Sequence, residues 1–250
     1  QTAGAGTTTF TGAVTTTGKA ETAGGAVNIA ETVGNISFAT ITTNGGTSTG
    51  IGRAGGAITL HSTEGTIAVT GTISTIGSAA ATSNVGGAGG TVTLTTDGSD
   101  AVTVAAITTS GGAGYLAGDG GDAGAISLTS TGATTTLGGN ITAIGGAAGA
   151  TGTQGDGGAV TCASATALGT NITINTGATA GTVTFSDTLR AATAYTETLG
   201  ITAGTGNVVF AGIVGGGSKE LGAVTITSAG NVTADLAFTA ASLTQTAGAG

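Results

Sequence analysis

The sequence predicts an all-β fold: a parallel β-helix, or β-solenoid, of about nine rungs. Three observations point there. A short apolar pattern recurs at fixed spacing, each recurrence alternates with period two, and the composition disfavours every other class. Of 250 residues, 52 are Gly and 57 are Thr, with no Pro, Met or Trp. Gly and Thr are poor helix formers, and Pro would interrupt a continuous ladder.

The pattern reads Gly-Gly-Ala-Val-Asn-Ile at 24–29, Gly-Gly-Ala-Ile-Thr-Leu at 55–60 and Gly-Gly-Thr-Val-Thr-Leu at 89–94. It continues as Ala-Gly-Ala-Ile-Ser-Leu at 123–128 and Gly-Gly-Ala-Val-Thr-Cys at 157–162. The starts are 31, 34, 34 and 34 residues apart. Beyond Val160 the apolar pair recurs at Val183, Val208 and Val232, at intervals of 23, 25 and 24. One continuous solenoid over 1–250 is therefore expected, with wide repeats of 31–34 residues over 24–162 and narrower repeats of 20–25 over 163–250.

Each wide unit is expected to hold three short strands. In 55–88 these fall near 57–62, 66–70 and 72–77, followed by a Gly/Ala/Ser loop. One unit cannot bury its own apolar face, but stacked units can. The predicted core columns are Val27, Ile58, Val92, Ile126 and Val160; Ile29, Leu60, Leu94, Leu128 and Cys162; and Ile73, Ile107 and Ile141. At the strand-pairing distance, nine rungs make a rod segment of about 45 Å. Charged ladders would set like charges opposite one another, so a regular stack explains why only 6% of residues are charged. Residues 1–6 and 245–250 both read Gln-Thr-Ala-Gly-Ala-Gly, which suggests one unit of a tandem array.

Charge excludes some functions. Four Lys+Arg against twelve Asp+Glu give a net charge of −8, too few cations for a nucleic-acid surface. No apolar run is long enough for a membrane-spanning helix, so membrane insertion is not expected. The scattered carboxylates form no glycosidase-like pair, and no enzyme is expected.

Candidate site residues are few. Asp119, Asp122 and Asp156 lie in Gly-rich turns just before strands, with Asp122 and Asp156 one repeat apart. Adjacent carboxylates repel unless a cation or proton intervenes, which points to Ca²⁺; solvated turn aspartates are the alternative. His61, the one histidine, is expected on the surface. Cys162 replaces a core Leu and is expected to be a small buried hydrophobe. Thr91-Val92-Thr93 and Thr182-Val183-Thr184 have the form of an ice-binding ladder, although the triplets do not persist through the wide units. Four Asn-X-Ser/Thr triplets, at Asn35, Asn140, Asn171 and Asn231, receive no role.

The segments Gly-Ile-Thr-Ala-Gly-Thr-Gly-Asn-Val-Val-Phe-Ala-Gly at 200–212 and Leu-Gly-Ala-Val-Thr-Ile-Thr-Ser-Ala-Gly-Asn-Val-Thr at 221–233 resemble repeats of giant bacterial surface proteins. These are the filamentous-haemagglutinin-like and autotransporter-like adhesins. The resemblance implies a secreted, right-handed parallel β-helix that builds fibres, sheaths or adhesive stalks. The wide units depart from the family's narrower rungs. The expected function is a structural segment of an extracellular or cell-surface fibre, partnered by copies of itself head to tail or side by side. The alternative is an adhesive module whose Gly-rich loops at 78–88, 111–122 and 145–156 contact glycans or surfaces.

Overall fold

The computed structural model describes Gln1 and residues 4–248. Among them there is no helix, and the strands pair in parallel in one sheet of 14 strands and one of 8. The chain is a parallel β-helix with three faces. The first face is the eight-stranded sheet, whose strands begin at Val27, Ile58, Val92, Ile126, Val160, Val183, Val208 and Val232 and pair in that order. The larger sheet supplies the other two. Its long strand Ile36–Thr42 pairs with two strands of the next rung at once, Ile36 with Ile67 and Ile41 with Ile73. With the strand Thr8–Thr15 paired beneath Ile36–Thr42, the rungs number nine, as the spacing predicts.

The core forms because alternate residues of each strand point inward and register places like on like. Ile58 pairs with Val92, Val92 with Ile126 and Ile126 with Val160; Leu60, Leu94, Leu128 and Cys162 make the parallel column. Ile73, Ile107 and Ile141 stack on the third face. All of these are buried. In the narrow rungs larger side chains take over, and Phe185 stacks on Phe210 at 5.6 Å. The three strands of the unit that begins at 55 are Ile58–Ser62, Ile67–Val69 and Ile73–Ser74, close to expectation.

The wide and narrow rungs differ at two places. At the corner between first and second faces, residues 129–134 separate Leu128 from Thr135, while only 163–165 separate Cys162 from Thr166. Between third and first faces, 143–159 join the strands of a wide rung to the next, against 176–182 one rung on.

That second excursion is loop, as expected, with no strand or helix in it, but it is an ordered one. Each wide rung sends an arm outward and brings it back, and the two arms bond to each other and to neighbouring rungs. The Gly121 N–H donates to Gly112 O within its rung (2.9 Å), and the Gly112 N–H donates to Gly87 O in the rung before (2.8 Å). Gly155 to Gly146 and Gly146 to Gly121 repeat the arrangement one rung on. The stacked arms form a flange whose interior is backbone against backbone. A methyl group on Gly112 would overlap the Ser78 carbonyl, and one on Gly146 the Gly112 carbonyl. Only glycine permits this approach.

A buried threonine closes the flange at its base. The hydroxyls of Thr43, Thr75, Thr109 and Thr176 donate to the carbonyls of Gly56, Gly90, Gly124 and Gly181, at 2.6, 2.6, 2.6 and 2.7 Å. In the fifth rung Ala143 occupies this place, its carbonyl still accepting from the Gly158 N–H.

These features set three stability predictions, each read by equilibrium chemical unfolding. Leu128→Ala should cost about 2–5 kcal/mol through the cavity it opens. Gly112→Ala should destabilise strongly, whereas Gly50→Ala, with open space around it, should fold as before; equal behaviour would remove the glycine-packed flange. Thr109→Val should cost about 1–3 kcal/mol by leaving the Gly124 carbonyl unpaired, and Ala143→Thr should gain about 1 kcal/mol by completing the row.

Candidate functional site

Polar side chains do two kinds of work on this rod, and the stack sets both. Where a corner breaks the backbone ladder, a short amide or carboxylate reaches one rung along and accepts the N–H left open. Asn35 Oδ1 accepts from the Thr66 N–H at 2.9 Å, Asn140 from Thr173 at 2.8 Å and Asn171 from Thr198 at 3.0 Å. Asn207 does the same for Asn231 at 3.0 Å. Each of these residues immediately precedes a strand. Three of the four Asn-X-Ser/Thr asparagines left without a role thus have one. Their place just before a strand was the available signal.

Asp119, Asp122 and Asp156 sit on the returning arms of the flange and are exposed. Asp119 Oδ1 accepts the Thr153 N–H at 2.7 Å and its hydroxyl at 2.9 Å. Asp122 Oδ1 accepts the Asp156 N–H at 2.8 Å. Asp122 and Asp156 are therefore stacked in adjacent rungs, with the Asp122 carboxylate turned to the backbone of its neighbour. Among the described residues no three His, Cys, Asp or Glu side chains converge on a common point. Donation from the Thr153 backbone, then from its hydroxyl, holds the Asp119 carboxyl below the usual aspartate value.

Glu21 anchors a second exposed network. Its carboxylate meets the Arg53 guanidinium at 2.6 Å and accepts from the Thr49 N–H and hydroxyl and from Ser48. Led by Arg53, these donors bring its pKa down to about 2. His61 lies on the first face, half-exposed, with Nε2 2.8 Å from the Asp97 carboxylate of the next rung. Cys162 is buried in the core column, and burial pushes its thiol up to about 12.

The flange tips carry an apolar edge that hydrophobic periodicity did not single out. Ile51, Val85, Tyr115 and Leu116 are all exposed there. Successive tips touch: the Gly52 N–H donates to Val85 O (2.9 Å) and the Tyr115 N–H to Asn84 O (3.1 Å). Leu116 holds its turn at φ +51°, a conformation unfavourable for a bulky side chain.

A buried polar column lines the corner between first and second faces. Glu31, Ser62, Thr96 and Ser130 pair in register there and are buried. Ser164 ends it. Its hydroxyl oxygen accepts the Ser130 N–H at 3.0 Å, a backbone donor that the shortened corner of the sixth rung leaves without a carbonyl.

No family model matches the chain, and neither a characterised protein nor a solved structure was found to be similar to it.

Both lowered carboxyls have a folded value below their unfolded value, so their contribution to stability is present above the ordinary carboxylate range and is lost as pH falls. For Glu21 the loss runs from about 4.5 down to about 2. In a carbon-detected NMR titration, Asp119 should ionise below its ordinary value, and Thr153→Ala should return it towards that value. An unmoved Asp119 would show that the Thr153 hydroxyl does not act on it. Cys162 should resist iodoacetamide in the folded chain and react on unfolding; labelling under native conditions would contradict its place in the core.

Proposed function

We propose that this chain is a structural rod segment of an extracellular or cell-surface fibre, sheath or stalk, in which units stack end to end. The observation that carries this reading is the like-on-like stacking itself, which joins the rungs into two long parallel sheets around one continuous apolar core. Phe10 on the first rung and Leu236 and Leu243 on the last are exposed. A further rung of the same pattern, from a continuation of the chain or from a second copy, would pair with the adjoining strand and cover those side chains. The near absence of charge along the faces suits a mechanical role, as do registers that shift only between Phe10 and Ala13 and between Ile201 and Thr202.

A second contact is favoured by the flange tips. Ile51, Val85, Tyr115 and Leu116 make an apolar edge along which neighbouring rods or a surface could be gripped, so lateral packing accompanies end-to-end growth in this reading.

Negative-stain electron microscopy of the concentrated protein tests both contacts. Rods much longer than one segment of about 45 Å are expected. Leu236→Lys with Leu243→Lys should reduce them to single segments, and Tyr115→Ser with Leu116→Ser should separate bundled rods without shortening them. Single segments from the unaltered chain at every concentration would refute end-to-end assembly.

A further inference from the structure

The change from wide to narrow rungs leaves a notch on the side of the rod. The fifth-rung corner, 129–134, is three residues longer than the sixth-rung corner, 163–165, and overhangs it. Beneath the overhang is a cavity of about 440 Å³. Thr131 and Gly132 form its roof, Ala163 and Ser164 its floor, and Asp187 of the seventh rung one wall. In neighbouring rungs the corners lie against each other: the Thr131 N–H donates to Thr96 O and the Gly132 N–H to Gly98 O. On the notch side the stacking is lost, and the carbonyls of Thr131 and Gly132 receive no hydrogen bond from the described residues.

The lining therefore has a definite chemistry. It offers two free backbone carbonyls and a carboxylate, of which only Oδ1 is engaged, by the N–H of the adjacent Thr188. The hydroxyls of Thr129 and Thr131 stand beside them. The excess is in acceptors, so a matching ligand brings several hydroxyl donors within a small compass. The floor is preorganised, because Ser164 is buried and its hydroxyl oxygen is held between the Ser130 N–H and the Thr135 hydroxyl, each at 3.0 Å. Among the described residues no aromatic side chain lines the notch, which sets the affinity low.

We propose that this notch binds one pyranose unit of a neutral glycan, its vicinal hydroxyls donating to the Thr131 and Gly132 carbonyls and to Asp187. The site is separate from the flange and stands whether or not the rods assemble.

The test is a ¹⁵N-NMR titration of the whole chain with D-glucose, D-galactose and N-acetyl-D-glucosamine, using the Leu236→Lys, Leu243→Lys chain if the unaltered one forms rods. Saturable shifts confined to the amides of residues 130–133, 163–165 and 187–188 are expected with at least one sugar, with a Kd of about 1–10 mM. Asp187→Asn should weaken binding about tenfold by removing a charge-assisted acceptor. Ala163→Trp, an exposed position, should fill the notch and abolish binding while the core amides keep their shifts. The proposal is overturned if none of the three sugars shifts these amides up to about 100 mM, well above that Kd, or if the shifts survive Ala163→Trp. Shifts produced equally by CaCl₂ and insensitive to the sugars would overturn it in favour of a cation site.

Discussion

Every feature of this protein depends on parallel pairing in which each residue sits on its own counterpart one rung away. That registration makes the rod a set of columns, and a column suits only residues that tolerate their own kind at strand-pairing distance. Valine, isoleucine and leucine do so by packing, and threonine and serine by exchanging hydroxyl contacts. Asparagine does so by accepting the N–H of the next rung. Lysine and arginine do not: Arg53 is held against Glu21 and Lys219 places its ammonium on the Ala192 carbonyl, while Arg190, the one of the four within a strand, sits on Ala167 and not on a like charge.

The flange extends the same rule to its limit. Side chains fill the core of the β-helix, but the flange has almost none to pack. Its cohesion comes from N–H groups that bond alternately within a rung and between rungs, as at Gly121 and Gly112. The two regions meet at the buried threonines, whose side chains belong to the β-helix while their hydroxyls hold the last glycine carbonyl of the flange. A single rung could form neither region by itself.

The β-helix was legible because its signal is carried by side chains. Ile58, Val92, Ile126 and Val160 recur in phase, and an inward column follows from that phase alone. The flange was not legible, because glycine carries no side chain to mark which way it faces, and a dense run of Gly and Ala reads as loop. Thr75 and Thr109 were lost for a different reason: among 57 threonines, nothing local separates a hydroxyl that closes the flange from one facing water. The asparagines at 35, 140 and 171 looked like chance triplets, since their partner lies some thirty residues on. Asp122 and Asp156 were placed correctly in stacked turns, but repulsion was considered there without the backbone donor that answers it. The corner notch was invisible because it is made by residues the sixth rung lacks.

The flange also changes how the rod carries load. A beam with a projecting keel is stiff against bending in the plane of the keel and compliant across it. Here the keel is built over the wide rungs and ends where the rungs narrow, so stiffness drops along the axis at one defined level. A fibre made of such segments would flex at regular intervals and in a preferred direction. Because its keel is fastened by backbone bonds, that directionality would persist through changes of salt that weaken charged contacts.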